Sequence, residues 1–213
     1  MNKFLHIAAL LALAVSADLR AATSNYCGEL QNAFGPFDYR KRAESANSFY
    51  LVEMAHFTPD VENGVKGNTG SVGSDLDYTL RAIPNHHRGL ATLASLALRE
   101  HTVQIAGMRY PVECWFLRAL RLAPDDGAVY ASYGSYLFSL GKTEKAAQLF
   151  KQGISYEPEN PTLNYNMGLI AFKQHDYGQA KAYAQKAYAA GFPLPGLKNK
   201  LVEAKQWDDA PAN

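Results

Sequence analysis

The apolar and polar positions divide the chain into helical stretches separated by short breaks. Ala43 to Phe57 has no breaker and sets Phe49, Val52 and Ala55 or His56 on one side at steps of three and four. This predicts a helix that stops before Pro59. Val112 to Leu122 repeats the spacing with Trp115, Phe116, Ala119 and Leu120. Asn85 is the predicted N-cap of a helix from His86 to about Glu100, with Leu93, Leu96 and Ala97 inward, and His101 to Met108 is a connection. Lys198 to Trp207 is a closing helix with Leu197 and Leu201 inward. Cys27 to Gln31 opens a short helix, and Gly35-Pro36 breaks the chain beside Phe34, Phe37 and Tyr39. One stretch stays undecided. Leu76, Tyr78, Leu80 and Ala82 alternate as in a strand, while Leu76, Leu80 and Ile83 share a helical face.

From Gly127 to Ala190 one pattern occurs twice, 34 residues apart. Tyr133-Gly134 answers to Met167-Gly168, Ala146 to Ala180, Phe150 to Ala184 and Gly153 to Ala187. Counting back by the same step sets Phe116, Ala119 and Pro124 against Phe150, Gly153 and Pro158. A period of this length marks a helical repeat array. Gly134, Gly168, Ala146 and Ala180 remove bulk where helices must approach closely, and Tyr133, Phe150 and Tyr183 fill the space between them. A single repeat cannot bury its apolar face, so the units must stack.

These residues resemble the tetratricopeptide (TPR) repeat family. The middle repeat carries Tyr130, Tyr133-Gly134, Leu137, Gly141, Ala146, Phe150, Gly153 and Pro158. The last carries Met167-Gly168, Ala171, Tyr177, Ala180, Ala184 and Ala187. It departs from the motif at Asn164, where a bulky residue is expected, and at Phe192-Pro193, one place late for the closing proline. The first repeat is degenerate, with Arg99-Glu100 where the motif has Leu-Gly. The resemblance implies an all-α fold: a short array of about three repeats with a capping helix, preceded by an irregular N-terminal region. The expected divisions are a signal peptide at 1–17, an N-terminal region at 18–84, the repeat domain at 85–207 and a polar tail at 208–213.

The resemblance also implies a concave groove for a peptide or partner helix. Carried over by position, it is lined by Ala131, Ser132, Ser135, Phe138 and Ser139, then Tyr165, Asn166, Leu169, Phe172 and Lys173. Asn166 alone matches the residues that clamp a terminal carboxylate in chaperone-binding members, which argues against a chaperone-tail receptor. In the competing reading Phe138 and Phe172 pack against the N-terminal region and no peptide enters.

Composition narrows the setting. The 21 Lys and Arg nearly cancel the 20 Asp and Glu, so no global field favours nucleic acid or an anionic membrane. At the amino terminus Lys3 precedes the apolar run Phe4 to Val15, and Val15-Ser16-Ala17 provides a small-residue cleavage site. Twelve helical residues reach ~18 Å, short of the ~30 Å hydrocarbon core, so the run reads as a secretory signal cleaved after Ala17. The expectation is a periplasmic or secreted protein, not inserted in the membrane after cleavage, with a protein or peptide partner in the cell envelope. Two cysteines then remain in an oxidising compartment, and Cys27–Cys114 is the expected disulfide.

Candidate chemistry is sparse. Gly64, Gly67, Gly70 and Gly73 fall at every third position, without the Gly-Lys-Ser/Thr of a phosphate-binding loop. They read as a surface loop. Asp75, Asp77, His86, His87 and Arg88, with His56, form the one polar cluster to test as a site. Neighbouring His86 and His87 point ~100° apart on a helix and cannot readily share a metal. The sequence therefore predicts no catalytic residue, metal or cofactor, and an interaction scaffold that is not an enzyme. The alternative is a small periplasmic hydrolase or ligand-binding protein built on Gly64–Gly73 with Asp75, Asp77, His86 and Arg88.

Overall fold

The computed structural model describes residues 26–207, in which ten α-helices and no strand are found. The expected signal segment, its expected cleavage site and the expected polar tail from Asp208 lie outside the described residues. A 3-10 segment (Tyr39–Ser45) leads into α1 (Ala46–His56), the short α2 (Pro59–Glu62) and α3 (Val72–Ala82). The array follows as α4 (His87–Arg99) with α5 (Val112–Leu122), α6 (Gly127–Ser139) with α7 (Thr143–Tyr156), and α8 (Pro161–Lys173) with α9 (Tyr177–Ala189). Finally α10 (Gly196–Glu203) packs on α8 and α9.

The undecided stretch at 76–83 is helical. Ser71 caps it by accepting from the Ser74 amide, and its face of Leu76 and Leu80, continued by Ile83, is fully buried. Two local expectations are corrected. The N-cap of α4 is His86, whose Nδ1 accepts from the Gly89 amide at 2.9 Å, because the Asn85 side chain is engaged elsewhere. Cys27 to Gln31 forms no helix; hydrogen bonds from α5 hold its carbonyls instead.

The first helices α4, α6 and α8 lie side by side, each backed by its successor. A Cβ at Gly134 would overlap the Phe150 ring, which is the close approach that the repeat pattern demanded. The turn between α6 and α7 uses Gly141 at φ +77°, whereas its counterpart 34 residues on is His175 at φ 61°, in the left-handed region. One apolar core runs without interruption from Phe57 through Leu90, Leu93, Trp115 and Phe150 to Ile170. A small second core lies under α10, and a third gathers Phe34, Phe37 and Tyr39 around Phe49 on α1.

The N-terminal region is fastened to the array. Cys27 and Cys114 form a disulfide across 87 residues of sequence, with Cα atoms 5.1 Å apart. One turn along α5, buried Arg118 donates from Nη1 to the carbonyls of Cys27 (3.0 Å) and Glu29 (2.7 Å). Its guanidinium lies over the Tyr110 and Trp115 rings at 5.4 and 5.6 Å. Arg121 adds a bond to the Gly28 carbonyl at 2.8 Å.

Candidate functional site

The polar cluster singled out in the sequence does not converge. Asp75 is fully buried and accepts from the Asn68 and Thr69 amides (2.6 and 3.1 Å), the Thr69 hydroxyl and His56 Nδ1 (2.9 Å). Burial raises its pKa, but these donors outweigh it and hold the carboxyl below its ordinary range. Asp77 accepts from Arg81 Nε (2.8 Å) and the Arg109 amide (2.9 Å). Arg88 pairs with Glu62, and His86 with Glu53. Each group thus has its own partner, and among the described residues Asp75, Asp77, His86 and Arg88 do not converge on one another. The Gly-rich loop is pinned by Asp75 through the amides that a phosphate site would need, and Gly73 lies buried inside α3. These contacts give the alternative ligand site no support.

These residues build a junction instead. The Tyr39 ring contacts both His86 (4.5 Å between centroids) and His87 (4.8 Å). Buried Asn85 accepts from the Tyr39 amide (2.9 Å) and donates to Asp38 (2.7 Å) and Asp126 (2.8 Å). His87 Nε2 meets Asp126 at 2.9 Å. Because His86 Nδ1 accepts from Gly89, its proton sits on Nε2 and is donated to Glu53 at 3.0 Å. Glu53 also receives two bonds from Arg42. His86 and Arg42 lower the Glu53 pKa to about 2, while burial pushes His86 below its ordinary value.

One open surface lies on the array. A trough of about 460 Å³ runs between α4 and α6 to the start of α8. Its walls are Ala91, Ala94, Ser95 and Leu98 on one side and Ala131, Ser132 and Ser135 on the other. No charged side chain lines it. Past Leu98, Tyr136 and Ser139 a second hollow of about 580 Å³ continues between Val103 and Leu140, which are 73% and 44% exposed.

Of the expected groove residues, Ser132 and Ser135 line the trough. Asn166 donates to Ser135 Oγ at 3.0 Å. The large anchors are engaged internally. Phe138 packs on the main core, Tyr165 stacks on Phe192 with centroids 4.0 Å apart, and Leu169 and Phe172 pack on the small core, Phe172 edge-on to Tyr177 at 5.4 Å. Lys173 is exposed. The sequence reading missed the α4 wall. Ala91, Ala94, Ser95 and Leu98 recur at helical spacing, but they sit in the degenerate repeat, where the motif gave no register.

Comparison with known families agrees with this architecture. Residues 134–174 match a TPR repeat model, and residues 161–190 match a tetratricopeptide repeat model. The chain therefore carries TPR repeats at residues 134–190, a type of repeat used in protein-binding scaffolds. No curated protein matches the chain.

Proposed function

We propose that this chain is an exported, non-enzymatic scaffold that holds a segment of another envelope protein along the face formed by α4, α6 and α8. The observation that carries the reading is the uncharged trough of about 460 Å³ between α4 and α6. The apolar run Phe4 to Val15 supports export, as does the Cys27–Cys114 disulfide, which suits an oxidising compartment.

The trough favours a helical segment over an extended one. An extended chain brings backbone N–H and C=O groups that must be paired on burial. The one side-chain amide at the expected place, that of Asn166, is engaged with Ser135, which leaves hydroxyls such as Ser95, Ser132 and Ser139. A helix satisfies its own backbone, and small residues on α4 and α6 let another helix come within the usual 8–10 Å between axes. The bound face is expected to be uncharged, since a charge placed there would lose water without gaining a partner.

The test fills the trough. In affinity capture from an envelope extract, Ala91→Trp and Ser132→Trp should each lose the partner that the wild type retains, with circular dichroism unchanged. Retention of the same partner by both variants would contradict the reading.

A further inference from the structure

We propose that α1 carries a second interaction site, where a hollow beside His56 takes one Trp or Tyr side chain from a protein partner. The hollow measures about 210 Å³ and lies among Phe34, Leu51, Ala55, His56 and Tyr78. Small-molecule sites run to ~300–1,000 Å³, whereas an engineered cavity of ~150 Å³ holds benzene. One ring is the occupant that fits.

The polarity of the hollow says which ring. The Asp75 carboxylate can only accept, so His56 Nδ1, 2.9 Å away, carries the proton. The Thr69 hydroxyl donates to the same carboxylate, and Tyr78 stacks on the imidazole with centroids 3.9 Å apart, which fixes the ring plane. In the neutral ring Nε2 is then the acceptor, and it has no hydrogen-bond partner among the described residues. An acceptor backed by a buried carboxylate is complementary to the positive N–H edge of an indole or the O–H of a phenol. A phenyl ring would fill the space and leave the acceptor unpaired.

The rim says that a protein delivers the ring. Tyr50, Leu51 and Met54 are 62%, 52% and 53% exposed. They are neighbours on one face of α1, at spacings of three and four, and continue directly from the hollow through Leu51. Tyr and Met are enriched at protein interfaces. A free aromatic molecule would leave this rim in water, whereas a partner seats an anchor ring in the hollow and covers the apolar surround. The site shares no residue with the trough on α4 and α6, so it does not depend on the function proposed for that trough.

The test uses the full chain and the N-acetyl amides of Trp, Tyr, Phe and 1-methyl-Trp, with the His56 ring nitrogens followed by long-range ¹H–¹⁵N NMR. The Trp and Tyr amides should shift Nε2 saturably in the millimolar range, with the Phe and 1-methyl-Trp amides about fivefold weaker for want of the hydrogen bond. His56→Phe keeps a ring on Tyr78, removes the acceptor and should bring the four affinities together. Equal binding of the Phe and Trp amides to the wild type would overturn the proposal whether or not that variant folds. Two other results would also overturn it. Resonances of α1 that move with protein concentration would mean that a second copy covers the face, and a response of Tyr50 and Met54 to anionic vesicles would mean that a membrane does.

Discussion

Protonation of His86 would remove the acceptor that caps α4 and add a third positive charge to those of Arg42 and Arg88. Its pKa is lowered by burial, so the stability it contributes is complete above the ordinary value of 6.5 and is lost as pH falls below it. Glu53, held at about 2, keeps its charge throughout that range, and its contribution is lost only as pH falls from its ordinary value of 4.5 toward 2. The thermal midpoint should therefore be lower at pH 5 than at pH 7, with a slope of at most about 1.4 kcal/mol per pH unit for one proton. His86→Gln offers an amide donor to Glu53 and an acceptor to Gly89 and should flatten the dependence; an unchanged slope would remove His86 as its cause. Gly134 gives a second test. Alanine there drives a methyl into the buried Phe150 ring, and chemical denaturation should show a loss of about 1–3 kcal/mol. The same change at Gly178, an exposed position inside α9 with nothing but an Asp176 oxygen at the edge of contact, should stabilise slightly.

Among the elements, α5 ties the N-terminal region to the array by two means, one covalent and one not. Replacing both Cys27 and Cys114 by serine should lower stability by up to ~4–5 kcal/mol, the entropic limit for a loop of this length. Arg118 and Arg121 should still keep residues 27–29 docked. Adding Arg118→Met removes the donor to the carbonyls of residues 27 and 29, leaving only Arg121 on Gly28, and limited proteolysis near Tyr26 to Gly35 should then accelerate; equal rates with and without Arg118→Met would show that the arginine contributes nothing there. The sequence read elements such as Val112–Leu122 to the residue, because a clean apolar face with breakers at both ends admits one solution. It could not decide 76–83, where alternating and helical spacings coincide, and tertiary burial of Leu76 and Leu80 decided for helix. It chose Asn85 as a cap from propensity, without seeing that Asp38, Tyr39 and Asp126 would claim that side chain. The Arg118 clamp left no signal beyond a cation on an otherwise apolar face, since its partners are carbonyls rather than carboxylates.

In the whole molecule, the repeat period gave the architecture and the face proposed to bind a partner, but not which part of that face is open. Aromatics expected to anchor a partner are covered from within or just after the last repeat: Phe192 after α9 closes over Tyr165, and Tyr177 at the start of α9 meets Phe172. The open surface moves toward α4, where a degenerate repeat and the N-terminal region meet. Because one core runs from Phe57 to Ile170, that junction and the trough beside it belong to a single packed unit rather than to a free array with an appendage.

The most direct measurement places a photocrosslinking residue at Ser132, inside the trough, and separately at exposed Lys151 on α7, with both proteins produced in cells that export them. The account predicts a discrete crosslinked partner from position 132, lost when Ala91→Trp fills the trough, and none from position 151. A partner captured from position 151 but not from position 132 would contradict it.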